Sequence, residues 1–453
     1  MAKLLAALGV LLVLHVASSV KLVCHMTNWA QYRPAGGKFT PTNIDPFLCT
    51  HIIYSLATIN SFNQITPVEW NDEQQFVLLN HHKNVNPALK TLLSVGGTVN
   101  GISPFIAMVA RAETRAAFIR SAISYLRHHD FDGLNLAWEF PAHNGSPAGD
   151  RENFSLLVEE MAKAFEDEAK ENRLTQLLLS ANVAGLIPTI DKAYEVGKIS
   201  DKLDFLNVMT YDYHGHWEAA TGHNSPLYRS NVDTPAHMHR NINSTISYWI
   251  SRGAAPQKLL LGIPTYGRTF RLSTSANGLG APANGPADAG PYTRTAGFWS
   301  YYEICEFTPT ADEHWINEQE VPYATYGSAW VGYDNLRSHA AKVEFLNENN
   351  LGGAHVWTLD MDDFVGTFCA GGQYPLTNTL RLRMGFPPKP TTTPAPTTTR
   401  DPIADFCHGR PDGLYPNEAD NTTYFQCFQG NTYLHRCQPG LIYWDSCKCC
   451  NWP

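Results

Sequence analysis

Phe131-Asp132-Gly133-Leu134-Asn135-Leu136-Ala137-Trp138-Glu139-Phe140-Pro141 is the stretch around which the chain is organised. Its middle predicts a β-strand. Strand side chains alternate between faces with period two. Asn135, Ala137 and Glu139 therefore share one face, opposite Leu136 and Trp138. One ionisable carboxylate ends that face, preceded by a methyl group and an amide. Chemistry or binding turns on these three positions.

Seven more short apolar runs read as strands: Lys21–Met26, Cys49–Ala57, Leu89–Val95, Leu177–Val183, Phe205–Met209, Leu259–Ile263 and Ala354–Leu359. They are nearly continuous rather than alternating, as expected for parallel strands covered on both faces. Helical stretches lie between them. In Arg151–Lys170, the residues Phe154, Leu157, Val158, Met161 and Phe165 form an amphipathic stripe, and Glu113–Arg127 and Asn335–Leu346 behave similarly. Strands alternating with helices predict an α/β fold, a (β/α)8 barrel occupying residues 21–385. The Tyr-, Gly- and Pro-rich segment between the seventh and eighth strands, about 265–338, is long enough for a small subdomain at the barrel mouth.

The ends of the chain differ in kind. Lys3, the apolar run Leu4–Val16 and the small residues Ala17-Ser18-Ser19 make a secretory signal peptide, residues 1–20. The run is too short to span a bilayer, and no later segment is long and apolar enough. Residues 386–402 are dominated by Pro and Thr, so they cannot bury a core and read as an extended, O-glycosylated linker. Residues 403–453 hold six of the ten cysteines: Cys407, Cys427, Cys437, Cys447, Cys449 and Cys450. In a secreted chain an even number of cysteines implies disulfides, and a module this small needs them. The other four, Cys24, Cys49, Cys305 and Cys369, are dispersed through the barrel. Sequons occur at Asn144, Asn153, Asn243 and Asn421. The net charge of −9 excludes nucleic acid as a natural partner and suits a neutral ligand such as a glycan.

In (β/α)8 barrels the C-terminal ends of the strands carry function. Here they offer Trp29 after the first strand, Trp138-Glu139 at the fourth, Met209, Tyr211 and Asp212 at the sixth, and Trp357 on the eighth, with Trp217 on the loop after the sixth. Aromatic platforms with a few acids are what a pyranose-binding cleft requires. His214 and His216 flank a turn, His25 has no second ligand at metal spacing, and neither predicts a metal site.

Phe131–Pro141 resembles the Asp-Gly-x-Asp-x-Asp-Trp-Glu-Tyr-Pro signature of glycoside hydrolase family 18. Lys90–Gly97, Met209–Gly215, Pro264–Arg268 and Gly352–Asp360 are also similar to that family, in order. The terminal module, with Gly413–Pro416 and Cys447–Trp452, resembles family 14 chitin-binding modules. The combination is most similar to the vertebrate acidic chitinase and chitotriosidase group. The resemblance implies substrate-assisted hydrolysis, in which the substrate's N-acetyl oxygen attacks the anomeric carbon. It makes Glu139 the proton donor. It places Ala137 where the family has the aspartate that orients the acetamido group, and Asn135 where that aspartate has its carboxylate partner. Thr98 replaces a stacking Trp, His25 and Leu56 replace aromatics, and Phe140 replaces a Tyr.

The same resemblance makes Trp29, Met209, Tyr211, Asp212, Trp217, Arg268, Glu303, Trp357 and Trp452 sugar contacts; Arg268 and Glu303 could otherwise pair with each other. It suggests Cys24–Cys49, Cys305–Cys369 and, first in the module, Cys437–Cys449 as disulfides. Tyr443 and Trp444 serve either as a platform or as the module's small core. The implied function is a secreted, monomeric lectin for chitin or N-acetylglucosamine oligomers, with absent or strongly reduced hydrolysis. The alternative is a chitinase cleaving β-1,4-N-acetylglucosamine linkages with retention. No cofactor is implied in either case.

Overall fold

The computed structural model describes residues 20–389 and 406–451, apart from 408, 418–419, 429–430 and 438–440. The signal peptide before Val20, the linker from 390 onward and Trp452 lie outside the described residues.

Eight parallel strands close into a barrel: β1 Lys21–Thr27, β2 His51–Ile59, β3 Lys90–Gly96, β4 Gly133–Ala137, β5 Leu178–Val183, β6 Phe205–Val208, β7 Leu259–Pro264 and β8 Gly353–Trp357. Each forms because a short apolar run is covered on both sides. Closure comes from β1, which pairs with both β8 and β2. The outward face of β4 shows the packing. Trp138, just beyond its end, stacks on Phe105 at 5.1 Å and meets Phe154 edge-on at 6.1 Å. Phe154 belongs to the helix Asp150–Asn172, whose buried side is the predicted stripe of Phe154, Leu157, Val158, Met161 and Phe165.

The segment between β7 and β8 builds an antiparallel five-stranded sheet. Its order is Phe298–Ser300, Tyr266–Arg271, Ala329–Gly332, Val321–Tyr326, Asp312–Ile316, with a helix at Tyr301–Phe307. This is the expected α+β insertion. Cys305 of that helix is bridged to Cys369, and Cys24 of β1 to Cys49.

The chain divides into two compact units, 1–389 and 390–453. The second contains a three-stranded sheet (Gly413–Pro416, Thr423–Phe428, Asn431–Arg436) and a hairpin of Ile442–Trp444 with Cys449–Asn451. The expected Cys437–Cys449 pair is not made. Cys437 is bridged to Cys450, Cys447 to Cys449, and Cys407 to Cys427. The hairpin register explains the choice. Cys450 lies opposite buried Tyr443, on the inward face, whereas Cys449 lies opposite exposed Trp444. Only Cys450 faces buried Cys437. Tyr443 stacks on Tyr424 at 4.7 Å, so it belongs to the module's core, and Trp444 is the residue left outward.

Candidate functional site

The barrel interior can be followed upward. Its lower layer is apolar: Val23, Ile53, Leu92, Phe205 and Leu260, with Leu178 against them. The next inward positions are polar and fully buried: His25, Ser55, Ser94, Asn135, Ser180, Asn207 and His355. Buried polar groups must find partners inside the protein. Asn135 finds four. Its Nδ2 donates to Ser94 Oγ at 2.9 Å and Asn182 Oδ1 at 3.1 Å. Its Oδ1 accepts from Ser180 Oγ at 2.9 Å and Asn207 Nδ2 at 3.1 Å. Asn207 also donates to Asn182 at 3.2 Å. The three amides and two hydroxyls carry no charge.

Above this network stands Ala137, 1% exposed and without a side-chain polar atom. Then comes Glu139, lining a cavity of about 210 Å³ with Phe140, Leu186, Met209, Tyr211 and Asp212. Burial, with a smaller contribution from the Asp212 charge, pushes the Glu139 carboxyl up to about 7. Asp212 sits at a left-handed φ of 58°, with its N–H donating to Asn224 Oδ1 at 3.0 Å. Its carboxylate accepts from Tyr266 Oη at 2.8 Å and Arg268 Nε at 2.7 Å. The Arg268 guanidinium in turn lies over the rings of Trp217 and Phe298, at 5.2 and 5.3 Å. Trp217 is 53% exposed, with its ring between the Arg268 guanidinium and Gly215 and the solvent.

A second cavity of about 390 Å³ is lined by Trp29, Tyr32, Arg33, Tyr292, Arg294, Phe298 and Trp357. The two cavities adjoin. Met209 and Tyr211 of the first pack in one cluster with Trp357 and Phe298 of the second. His25 lies against Trp357, with ring centroids 5.0 Å apart. Burial, aided by His355, holds His25 well below the usual imidazole range, so it packs there as a neutral ring. Asp360 braces the turn that carries Trp29. It accepts from Thr27 N at 2.9 Å and pairs with Arg33 at 2.8 Å.

Trp29, Met209, Tyr211, Asp212, Trp217, Arg268 and Trp357 thus converge with Glu139 on the C-terminal end of the barrel. Glu303 does not present itself there. It is 4% exposed, and its carboxylate accepts from the N–H groups of Tyr292, Thr293 and Ser300 and from two hydroxyls. It shapes the wall bearing Tyr292 rather than touching a ligand, and it does not pair with Arg268. Tyr32, Tyr292 and Arg294 were not foreseen. Neither was Trp70, 80% exposed beside Glu69, which accepts from Tyr32 Oη at 2.7 Å.

A (β/α)8 barrel with an acid at the end of β4 and an aromatic-lined cleft defines a glycoside hydrolase type of protein. Residues 21–362 match the family described as glycosyl hydrolases family 18, and 407–453 the chitin binding Peritrophin-A domain. The chain belongs to glycosyl hydrolase family 18. It is 44% identical to Mus musculus chitotriosidase-1, with 100% of both chains covered. It is 47% identical to the oviduct-specific glycoprotein of Ovis aries, over 84% of this chain and 70% of that one. Two solved structures superpose with a TM-score of 0.78, each covering 81% of this chain and 100% of the other. One, 39% identical, is an immunomodulatory active chitinase from Trichuris suis; the other, 42% identical, is human YKL-39, described as a pseudo-chitinase with retained chitooligosaccharide binding properties.

Asn135→Ala leaves buried partners orphaned, at about 1–3 kcal/mol for each group without a replacement; urea denaturation should show a loss of that order. The Glu139 carboxyl has its folded-state value raised from 4.5 to about 7. The folded state therefore holds the proton more tightly than the unfolded chain, and stability falls as pH rises between those values. Glu139→Gln should remove this slope, so its melting temperature gains on the parent's as pH is raised from 4 to 8.

Proposed function

We propose that this chain is a secreted lectin for chitin or N-acetylglucosamine oligomers whose barrel hydrolyses them weakly or not at all. One observation carries the proposal: Ala137 stands on the inward face of β4, two residues before Glu139, with no polar side-chain atom. In substrate-assisted hydrolysis the acetamido group must be oriented and its developing positive charge stabilised. A methyl group does neither. Loss of one preorganised electrostatic group costs about 10²–10³ in rate, and loss of positioning adds to it. The neutral network around Asn135 offers no carboxylate from below.

Binding is better provided for. Trp29, Trp217 and Trp357 offer ring faces along the cleft, while Arg268, Asp212 and Arg294 offer polar groups. Thr98 and Val99, at the end of β3, are exposed and offer no aromatic ring. The cleft therefore grips a chain best on the Trp29–Trp357 side. The terminal module would hold chitin through Trp444 and Trp452. The N-terminal apolar run supports secretion; among the described residues no helix is long and apolar enough to cross a membrane. The alternative, a chitinase, draws support from Glu139, whose value near 7 suits a general acid.

A fluorogenic chitobioside assay beside a chitin pull-down tests the proposal. Retention on chitin with little fluorophore release is expected; release within about tenfold of an intact family enzyme would overturn it. The variant carrying Asn135→Asp and Ala137→Asp should release fluorophore faster than the parent by about 10² or more.

A further inference from the structure

Away from the cleft, three side chains with metal-ligand chemistry meet. His214 and Glu218 lie on the loop after β6, and His237 on the following segment before the helix Ile242–Ser251. One ligand atom from each lies within 4.8 Å of the others. His214 Nδ1 is 2.7 Å from one Glu218 oxygen, and His237 Nε2 is 3.8 Å from the other. His214 is 6% exposed and the other two are partly buried, so these are not freely solvated side chains.

We propose that His214, Glu218 and His237 form a binding site for a divalent transition metal, with zinc the best match. Two imidazoles and a carboxylate are a recurrent zinc donor set, with bonds of about 2.0–2.2 Å in a tetrahedron. Ligand atoms in such a tetrahedron lie about 3.4 Å apart. His214 Nδ1 and His237 Nε2 stand 2.7 and 3.8 Å from opposite oxygens of Glu218, and one ligand atom from each residue lies within 4.8 Å of the others, so side-chain rotations would bring the three to that spacing. All three residues line a cavity of about 310 Å³ together with Asp233, Thr234 and Gln319.

Arg240 is the competing cation. Its Nη1 donates to Glu218 Oε1 at 2.5 Å and to Tyr213 O at 3.2 Å. Glu218 has a second oxygen, Oε2, which faces His214. A metal held by Oε2 and His214 leaves Arg240 on Oε1 as the outer partner that ligating carboxylates commonly have, and requires the His237 ring, 3.8 Å from Oε1, to turn toward Oε2. Asp233 adds negative charge beside the site. The ten cysteines are all paired, so no thiol offers a rival site. The same loop carries Asp212 and Trp217, and the Trp217 ring packs over Gly215. Metal binding would therefore fix the segment that presents Trp217 to the cleft.

The test is calorimetric titration of zinc sulfate into the metal-free full-length protein, repeated with His237→Ala and with His128→Ala. One zinc per chain is expected, unchanged in His128→Ala and weakened at least tenfold in His237→Ala. His237 is partly exposed, and circular dichroism checks that its variant is folded. Glu218→Gln, likewise checked, provides a second variant expected to weaken binding. No stoichiometric zinc binding, or binding unchanged in both His237→Ala and Glu218→Gln, would overturn the proposal.

Discussion

Four hydrogen bonds on one buried amide hold the middle of this barrel together. Asn135 donates to Ser94 and Asn182 and accepts from Ser180 and Asn207, joining strands β3, β4, β5 and β6 across the interior. An amide in a dry core is costly unless its donors and acceptors are matched; those of Asn135 all are, whereas Asn207 Oδ1 in the same network has no partner. A neutral network also needs no counter-charge, and the residue above it, Ala137, supplies none. What the site can do follows from these two positions. Glu139 keeps its place and its raised affinity for a proton, but it stands over a floor with no carboxylate at 135 or 137.

The cleft nevertheless retains a continuous set of surfaces. Arg268 links the acid side to the aromatic side, since it pairs with Asp212 while lying over Trp217 and Phe298. Neutral His25 supports Trp357 from below without introducing charge. Asp360 ties the turn bearing Trp29 to the end of β8 through Thr27 and Arg33. These interactions hold the rings and charged groups of the cleft in place. In the proposed lectin they persist because binding needs shape and stacking, whereas hydrolysis also needs a group at position 137.

The eight strands were legible because parallel strands buried on both faces must be written as short apolar runs. The helix Asp150–Asn172 was legible from its stripe. Other features were obscured for physical reasons. Glu303 looked like a cleft acid, yet Ser300-Tyr301-Tyr302-Glu303 carries capping-box spacing, and both halves of that box are formed. Tyr32 and Tyr292 reach one cavity from distant loops, which spacing cannot reveal. Adjacent Cys449 and Cys450 were indistinguishable until the hairpin register put them on opposite faces. His237 joined His214 only through the fold.

The most direct measurement combines binding and cleavage on one sample. N-acetylchitohexaose is titrated calorimetrically into the isolated barrel unit, and the oligosaccharide is recovered after long incubation for mass spectrometry. Saturable heat with the oligosaccharide recovered intact is the predicted result. Shortened products formed at the rate of a competent family enzyme, or no binding at all, would contradict a cleft that holds chitin without cutting it.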